Sequence, residues 1–456
     1  MSAVLSPATS SGKRQLPPCS FTPPPYNGPS REQVLADRQR YLNPGLITYY
    51  KEPLMLTDGY MQYLFDEKGK RYLDLFAGIV SVSCGHGHPK IVKAMQNQIA
   101  RLTHTTTIYM NPNPGELAKK LAAKLPAGLE VAYFTNSGSE ANDLAILMAR
   151  LFTGNRDVIS LRNGYHGASG ITFNLTAHST WKYAAQPGER VFHAAAPDPY
   201  RSLFGGSPEE VAKKSVDDLR DLIRYSTPGK VAAFIAEPIQ GVGGITHGAK
   251  NYLKGAYAAV REAGGVCIAD EVQTGFGRTG DHFWGFENFD VVPDIVTMAK
   301  SLGNGAPIAA VITRKEIADT MKQKLHVNTF GGNPVSTAAG LAVMDVLEED
   351  RLQENARVLG AHFKKEMQKL QEKHALIGDV RGMGLMLGME LVKDRATKEP
   401  AREECAALHE GLKENQVLVG KGGLFGNVLR IQPPLCVTKD DLDYAVDAMD
   451  RVLGAI

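Results

Sequence analysis

Apolar and polar residues follow two alternating patterns along most of this chain. Short apolar runs, which predict buried strands, alternate with segments whose apolar residues recur every three or four positions, as in amphipathic helices. The apolar runs predict strands at Asp157 to Ser160, Val231 to Glu237, Val266 to Asp270 and Ile295 to Met298. Because strands and helices alternate over this length, we expect an α/β fold with a mainly parallel central sheet.

Local signals refine this prediction. Residues 61–76 alternate around a central Glu-Lys-Gly turn and predict a β-hairpin, and Pro89 predicts the first position of an amphipathic helix. The segment VAYFTNSGSEANDLAILMARLFTG, which starts at Val131, predicts a strand, a tight turn and a helix that buries Ala141, Leu144, Ala145, Met148 and Leu151. A further helix is predicted at NPVSTAAGLAVMDVLEED, followed by charged amphipathic helices and short strands at GLMLGMEL and VLRIQPPL.

The order of these elements predicts two domains. We expect a large domain over residues 101–345 and a smaller α/β domain built from an N-terminal part, residues 31–100, and a C-terminal part, residues 346–456. Residues 1–30 are rich in Ser, Thr and Pro and lack an acidic residue, which predicts a disordered tail or a transit segment. A transit segment would direct the protein to mitochondria, whereas a plain tail would leave it in the cytoplasm.

Composition narrows the classes of function. Over 456 residues the formal net charge is only +2, and no basic cluster suited to neutralising phosphates occurs, which argues against a nucleic-acid partner. The five cysteines are scattered and never spaced as CxxC, so neither a disulfide framework nor a zinc knuckle is predicted. Since no apolar window approaches about 18 residues, we expect a soluble protein whose partners are small molecules and copies of itself.

Polar residues stand at the ends of several predicted strands, where ligands bind in open α/β sheets. They are the turn from Asn136 to Ser139, Glu237, Asp270 and Lys300. In the turn, Ser137 and Glu140 have the spacing of a capping box, so the start of this helix is either an ordinary cap or a phosphate site.

Lys300 ends the run DIVTMAK and precedes a glycine-rich turn. A lysine at a strand end is commonly a solvated stop, but burial in an enclosed site would lower the pKa of its amine and allow a Schiff base. A phosphate site, a lysine amine and the carboxylate of Asp270 together match the needs of a pyridoxal phosphate enzyme, in which the carboxylate keeps the pyridine nitrogen protonated.

Five segments of the chain resemble the class III, or ω-amino acid, aminotransferases. They are FTNSGSEAN, IADEVQTGFGRTGDHFWGFE, PDIVTMAKSLGNGAPIAAV, FGGNPVSTAAGLA and VLRIQPPL, in the family's order, and the resemblance extends from about Pro29 to the C-terminus. Segments containing PPPYNGPS and HAAAPDPYR are similar to the alanine–glyoxylate group within the family. The resemblance implies the architecture of the fold-type I pyridoxal phosphate-dependent transferases.

The resemblance also implies cofactor-binding roles for individual residues. Lys300 would form the Schiff base and carry the proton, and Asp270 would pair with the pyridinium nitrogen. Gln273 would hydrogen-bond the ring hydroxyl oxygen, and Tyr165 would stack on the ring. The phosphate would be bound by the turn at the helix start, namely Ser137, Gly138 and Ser139.

A dimer and a substrate side follow from the same resemblance. Thr329 would reach the phosphate of the neighbouring subunit, which implies a homodimer or a tetramer built from it. Arg430 would bind a substrate carboxylate with its planar fork, and Glu237 would mask Arg430 when the other substrate is bound. Each residue also has an alternative interpretation: Thr329 as a turn hydroxyl, Arg430 as a surface arginine and Glu237 as a structural ion-pair partner. Ile79 stands where ornithine-specific relatives carry a tyrosine, so ornithine is expected to be a poor donor.

Two further motifs predict competing functions. GFGRTG, Gly275 to Gly280, matches the GxGxxG pattern of an NAD-dependent oxidoreductase, but neither an amphipathic helix nor a strand-end acid about 20 residues later follows it. CGHGHP, Cys84 to Pro89, would suit a metal-dependent hydrolase, but no further ligands at strand ends complete the set. We therefore expect no metal site and a glycine-rich turn before the Pro89 helix.

The sequence thus predicts a pyridoxal phosphate-dependent aminotransferase that works by ping-pong half-reactions. Its amino donor would be L-alanine or a β- or ω-amino acid, and its acceptor would be glyoxylate or pyruvate. A γ-aminobutyrate or β-alanine type of ω-aminotransferase is the alternative, and an aminomutase or a decarboxylase would use the same core residues.

Overall fold

The computed structural model of the protein describes residues 14–184, 188 and 190–456. Strands and helices alternate along these residues, as the hydrophobic pattern predicts. The strands are β1 Leu56–Tyr60, β2 Tyr63–Asp66, β3 Arg71–Asp74, β4 Val131–Thr135, β5 Val158–Leu161, β6 Val191–Ala194, β7 Ala233–Ala236, β8 Val266–Asp270, β9 Ile295–Met298, β10 Ala309–Thr313, β11 Ile377–Met383, β12 Met386–Leu391, β13 Val417–Leu418, β14 Gly420–Gly422 and β15 Val428–Ile431.

The helices range from single turns to more than five turns. They are α1 Arg31–Tyr41, α2 Ala77–Val80, α3 Pro89–Ile99, α4 Pro112–Ala122, α5 Gly138–Thr153, α6 Thr172–Leu175, α7 Pro208–Ser226, α8 Asn251–Glu262, α9 Lys315–Ala318, α10 Pro334–Glu349, α11 Leu352–Lys373, α12 Arg402–Glu414 and α13 Lys439–Leu453. Among the described residues, none of these helices combines the length and the apolar character needed to cross a bilayer.

The central sheet has seven described strands in the order β4-β10-β9-β8-β7-β5-β6. Only β10 runs antiparallel to its neighbours, so the predicted mainly parallel sheet is confirmed. Strands β8 and β9 have the predicted bounds, whereas β5 and β7 are shifted or shortened by one or two residues at their ends. Because β5, β7, β8 and β9 are parallel, their carboxyl ends meet at one edge of the sheet.

Helices cover both faces of this sheet, which explains why its strands are apolar on both sides. Helix α5 packs Ala141, Leu144 and Met148 against residues of β8, β9 and β10 on one face. Leu151 in the last turn of α5, which the helical period also assigned to the buried side, is 38% exposed, so this part of the prediction is wrong. The packing of α5 fixes where its first turn lies relative to the ends of β8 and β9.

Strands from both ends of the chain pair within one sheet. The hairpin β2–β3 forms as predicted, and β3 also pairs in parallel with β13 through Leu73 and Val417. A second sheet has the order β11-β12-β15-β14, and Arg430 of β15 donates to Gln273, which follows β8. This arrangement agrees with a small domain made of N- and C-terminal segments, although its residue boundaries stay a prediction.

Part of the segment that the sequence predicts to be a disordered or transit tail is packed against the rest of the protein. Residues 1–13 lie outside the described residues. Arg14 forms ion pairs with Asp443 and Asp447 at 3.1 and 3.0 Å, and the ring of Phe21 stacks on that of Tyr60 with centroids 5.0 Å apart. From Arg14 onward, this part of the chain is therefore packed on the smaller domain, because its aromatic and basic side chains find partners there.

Candidate active site

A partly open cavity of about 110 Å³ lies beside the carboxyl ends of β7 and β8, at the start of α5. Seven residues that the sequence singled out line it, namely Gly138, Ser139, Tyr165, Glu237, Asp270, Gln273 and Lys300. They come from chain positions more than 150 residues apart, and the parallel sheet brings them together. Ser137, Ile79, Thr329 and Arg430 do not line this cavity.

Lys300 lies two residues after the end of β9 and lines the same cavity as Asp270. Burial lowers the pKa of this amine, and the positive charge of Arg430 acts in the same direction, whereas Asp270 opposes the shift. The backbone of Lys300 has a φ of 44°, a conformation that costs a non-glycine residue on the order of 1 kcal/mol or more. An amine that is buried and more readily neutral is suited to nucleophilic chemistry, unlike a solvated strand stop.

Asp270 ends β8 with a carboxylate that is held on both oxygens. Its Oδ2 accepts from Asn142 Nδ2 and lies within hydrogen-bond distance of His166 Nδ1, both at 2.8 Å, and its Oδ1 accepts from the backbone N–H of Val272 at 3.1 Å. The carboxylate is buried. These contacts fix its position at the cavity wall while leaving it able to pair with a cationic group.

Asn142 and His166 are site residues that sequence reasoning missed. Asn142 stands one helical turn after Gly138, on the α5 face that is otherwise apolar, and its Nδ2 also donates to the backbone oxygen of His166 at 2.8 Å. His166 directly follows Tyr165. A polar residue on a buried helix face and a histidine beside a predicted ring contact were the available signals.

The start of α5 presents backbone N–H groups to the cavity. Ser137 is the predicted N-cap, because its Oγ accepts from the backbone N–H of Glu140 at 3.2 Å. The second half of the predicted capping box is absent: the Glu140 carboxylate accepts from the backbone and side chain of Asn136, both at 3.0 Å. The N–H groups of Gly138 and Ser139 have no partner among the described residues, which is the arrangement that binds anions at helix starts.

The loop after β5 closes the cavity against this helix start. Gly167 has a φ of 127°, and a Cβ at this position would stand only 2.4 Å from Ser139 Oγ, so a side chain is sterically excluded. Ala168 donates its backbone N–H to the same Oγ at 3.2 Å. Tyr165 lines the cavity, and its ring meets that of Trp181 edge-on with centroids 5.1 Å apart. Tyr165 thus lines the same cavity as the start of α5.

Glu237 is buried directly after β7, and no basic side chain among the described residues is in hydrogen-bond contact with its carboxylate. Its carboxylate oxygens accept from the backbone N–H groups of Tyr165 at 2.9 Å and Gly241 at 2.8 Å. Burial raises the pKa of Glu237 to about 7, with the negative charge of Asp270 adding to the shift and His166 opposing it. The expected masking contact with Arg430 is not formed in this structure and stays a prediction for another state of the enzyme.

Arg430 of β15 contacts Gln273, a residue that lines the cavity, and is only 4% exposed, so it is not a surface arginine. One terminal nitrogen donates to Gln273 Oε1 at 2.9 Å and to Gln432 Oε1 at 3.1 Å. The guanidinium carbon lies 5.3 Å from the ring centre of Phe76. Its Nε has no hydrogen-bond partner among the described residues, so a buried donor remains for a ligand. Gln432 is another residue that sequence reasoning missed.

Ile79 and Thr329 lie outside the cavity of their own chain. Ile79 is 46% exposed and has a φ of 62° within α2, a single turn whose residues all have left-handed backbone angles. Thr329 is exposed beside Asn328, which donates to the Glu140 carboxylate at 3.0 Å. Thr329 is therefore near the start of α5 on its outer side. The substrate and neighbouring-subunit roles of these two residues stay predictions.

The two competing motifs have structural roles in the described chain. No helix of the Rossmann kind follows Gly275 to Gly280, and Arg278 is buried there, donating to Ser83 Oγ at 3.0 Å and to the oxygen of Leu385 at 3.1 Å. In CGHGHP, His86 contacts Asp74 at 2.7 Å. Among the described residues, no group of three or more His, Cys, Asp and Glu side chains could hold a metal ion.

The donor set around the cavity fits pyridoxal phosphate. Two free backbone N–H groups at a helix start suit the phosphate, and a fixed buried carboxylate, Asp270, suits a protonated ring nitrogen. The amine of Lys300 lines the same space.

Comparison with known proteins identifies, over most of the chain, the same family that the sequence motifs resemble. Residues 49–453 match the family described as aminotransferase class-III. The sequence is 54% identical over 436 residues to alanine–glyoxylate aminotransferase 2 homolog 2, mitochondrial, of Arabidopsis thaliana, covering 96% of this chain and 90% of that protein. It is 45% identical over 461 residues to alanine–glyoxylate aminotransferase 2, mitochondrial, of Homo sapiens, covering 97% and 90%.

Solved structures of similar fold include enzymes with different reactions. An Arthrobacter phospholyase in complex with phosphoethanolamine has a TM-score of 0.87 and 33% identity, covering 93% of this chain and 100% of that chain. An (S)-enantioselective ω-transaminase from Thermomicrobium roseum has a TM-score of 0.87 and 32% identity, covering 94% and 99%. Both likenesses support the fold-type I architecture. On the family match and the relatives together, the chain belongs to the class III aminotransferases.

Proposed function

We propose that this transaminase transfers the amino group of L-alanine, or of a β- or ω-amino acid, to glyoxylate or pyruvate with pyridoxal phosphate as cofactor. The observation that carries the proposal is the convergence of Lys300, Asp270 and the start of α5 on one cavity. The two relatives named alanine–glyoxylate aminotransferase 2 support the choice of substrates.

The chain's own residues would hold the cofactor by several separate contacts. The N–H groups of Gly138 and Ser139 would bind its phosphate, and Tyr165 would cover its ring. Asp270, fixed by Asn142 and His166, would keep the ring nitrogen protonated. Pyridoxal phosphate, when bound, supplies an electron-accepting ring and a carbon that receives and returns the amino group.

Two further residues would act at the reacting side of the ring. Gln273 has its Oε1 occupied by Arg430, so its Nε2 is the atom available to donate to the ring oxygen. Lys300 Nζ would link the resting enzyme to the cofactor and, once released by the substrate, take the proton from the substrate's α-carbon and return it. The lowered pKa of Lys300 favours this role, because only the neutral amine can accept a proton.

Arg430 would bind the substrate carboxylate. It is buried, it offers Nε without a partner, and no carboxylate of the described chain lies in ion-pair contact with it. Glu237 would approach Arg430 only when a substrate lacks a carboxylate at that position. An enzyme in which Arg430 is either free or paired with Glu237 can accept a small α-keto acid in one half-reaction and an ω-amino acid in the other.

A second copy of the chain would complete the site. Apolar side chains are exposed on two segments that contact each other through His104 and Phe330, whose rings lie 5.3 Å apart. The exposed residues are Ile108, Tyr109, Met110, Leu325, Val327 and Phe330. Such a large exposed apolar patch marks a protein interface. Thr329 lies within this patch, from which it would reach the phosphate site of the neighbouring subunit.

A mitochondrial location is part of the proposal. It is supported by the names of both curated relatives and by the acid-free composition of residues 1–30. Fractionation of cells that express a C-terminally tagged full chain would test it, and removal of residues 1–13 should shift the protein to the cytosol. Retention in mitochondria after this truncation would contradict a targeting role for that segment.

A donor-by-acceptor panel on the purified holoenzyme tests the reaction itself. We expect L-alanine with glyoxylate or pyruvate to be used, β-alanine and γ-aminobutyrate to reveal the range of donors, and ornithine to be poor because Ile79 offers no hydrogen-bond donor. Phosphoethanolamine belongs in the panel because an enzyme of this fold is a phospholyase. Phosphate release without amino transfer would overturn the proposal, and preferred use of ornithine would overturn the substrate class.

A further inference from the structure

The guanidinium of Arg430 is held by two neutral amides instead of a carboxylate. One terminal nitrogen donates one hydrogen to Gln273 Oε1 at 2.9 Å and the other to Gln432 Oε1 at 3.1 Å. Hydrogen bonds from a charged donor are directional and comparatively strong. Because amide oxygens carry no net charge, these contacts fix the position of Arg430 and leave its positive charge uncompensated.

Gln432 is itself fixed in orientation. Its side chain is fully buried, and its backbone N–H donates to the oxygen of Leu75 at 2.8 Å. Arginine can only donate, so the Oε1 of Gln432 has to face Arg430, and this orientation directs Nε2 to Gln273 Oε1 at 3.4 Å. The three side chains therefore form a closed network in which each amide has only one suitable orientation.

The rest of the Arg430 side chain is held by packing. The ring of Phe76 lies 5.3 Å from the guanidinium carbon. A Cβ added to Gly422 would stand 2.5 Å from Arg430 Cδ, so the methylene chain lies directly on the backbone of β14. With Phe76 and Gly422 at its sides and two amides at its end, the guanidinium keeps one position, and its unpartnered Nε is available to a ligand.

We propose that Gln432 is a positioning residue that determines specificity for carboxylate-bearing substrates. It holds Arg430 in place without neutralising it, and a carboxylate at position 432 would instead pair with Arg430 permanently and exclude substrate carboxylates. This inference rests on the proposed role of Arg430 as the carboxylate-binding residue.

The test uses the holoenzyme and propionate, a carboxylate that carries no amino or keto group to react. Binding is followed by calorimetry and by the change in the cofactor's visible absorption. Gln432→Leu, which removes both hydrogen bonds at similar size, should weaken propionate binding about 10-fold. Gln432→Glu differs from the wild type by one functional group, and we expect it to weaken binding by about 100-fold or more, because two carboxylates would compete for one arginine.

Kinetics should separate positioning from general damage. In both variants, KM for glyoxylate or pyruvate should rise while kcat for a primary amine without a carboxylate, such as 2-aminobutane, stays near the wild-type value. Gln240→Leu is a matched control, because Gln240 is also a buried amide, bonded to Thr246 and to the oxygen of Arg162. It should lower thermal stability without changing propionate affinity.

Each outcome decides one question. Unchanged propionate affinity in both Gln432 variants, together with weakened binding in Arg430→Ala, would overturn the role of Gln432 and keep the proposed function. Unchanged affinity in Arg430→Ala as well would overturn the carboxylate site on which the inference rests. If kcat with 2-aminobutane fell by as large a factor as the affinity for propionate, Gln432 would have only a structural role.

Discussion

Nδ1 of His166 lies 2.8 Å from Oδ2 of Asp270, and both side chains are buried at the wall of the cavity. A carboxylate only accepts, so Nδ1 carries the proton in this contact and Nε2 is left without a partner among the described residues. His166 therefore restricts how Asp270 can turn. Together with Asn142 and the backbone N–H of Val272, it holds the carboxylate in one orientation at the cavity wall, where it would pair with the ring nitrogen of the cofactor.

Replacing Asp270 by Asn should strongly reduce turnover. Asn keeps the shape but removes the charge that would hold the ring nitrogen protonated, and we expect a loss of about 3 to 5 kcal/mol in the barrier, as for broken buried charge pairs. Single-turnover kinetics with L-alanine measure this loss. Asp294→Asn is the control, because Asp294 is a buried carboxylate paired with Arg261 and Arg314. Near-normal turnover in Asp270→Asn would make Asp270 a structural strand end.

Lys300 should be the residue that carries the cofactor covalently. The purified protein should be yellow, and borohydride reduction should attach the cofactor to Lys300, as peptide mapping by mass spectrometry would show. Lys300→Ala should still bind the cofactor but lose steady turnover by several orders of magnitude. Lys230→Ala, an exposed lysine, should behave as the wild type. A reduced adduct on any other lysine would refute the assignment.

Glu237 should make acceptor binding depend on pH near neutrality. Its pKa is raised to about 7, so the residue gains negative charge as pH rises through that value and then competes with substrate for Arg430. We expect KM for glyoxylate to increase across this interval in the wild type and to stay flat in Glu237→Gln. A parallel pH profile in the two proteins would contradict this role.

The stability of the protein should also depend on pH through Glu237, and Glu271 provides a control that separates this effect from the effect on KM. A carboxyl group with a raised folded-state pKa binds its proton more tightly when folded, so its contribution to stability is full below about pH 4.5 and is lost as pH rises towards about 7. Glu271 is also buried with its pKa raised to about 7 by burial, but it bonds Thr274 and backbone N–H groups away from Arg430. Glu271→Gln should alter this stability profile without altering the KM profile.

Arg430→Ala should impair use of the acceptor. Losing a charge-assisted pair in a partly closed site costs about 2 to 5 kcal/mol, which should be seen as a higher KM for glyoxylate or pyruvate. The cofactor's absorption should persist, because the phosphate and ring contacts are made by other residues. Arg381→Ala is a matched control, since Arg381 is a largely buried arginine that pairs with Asp379 and Glu390. Unchanged acceptor kinetics would place the carboxylate site elsewhere.

The hydrophobic pattern predicted the central sheet well because its strands are buried on both faces and end at polar residues. Strand ends identified Glu237, Asp270 and Lys300 without any knowledge of which strands are neighbours. The order of the strands in the folded sheet brings these three residues to one cavity. Sequence reasoning therefore selected strand-end residues that the fold brings to one cavity, while their catalytic roles stay predictions.

Residues that act through other side chains were harder to predict. Asn142, His166 and Gln432 make their contacts with partners far along the chain, and their local surroundings resemble an ordinary helix face, a loop and a short strand. The packed segment from Arg14 onward was missed for a related reason: its partner Asp443 stands near the other end of the sequence. Such pairings depend on tertiary structure, which spacing along a chain does not report.

The parallel pairing of Leu73 with Val417 joins strands from opposite ends of the chain, and this has a consequence for biosynthesis. The hairpin that contains β3 leaves the ribosome early, but the strand that covers its free edge is made only shortly before the end of translation. Until then the nascent chain exposes an open strand edge, which is a site for aggregation. A ribosome that stalls before Val417 would release a chain with this edge uncovered, so messages truncated near their end should yield insoluble or degraded protein.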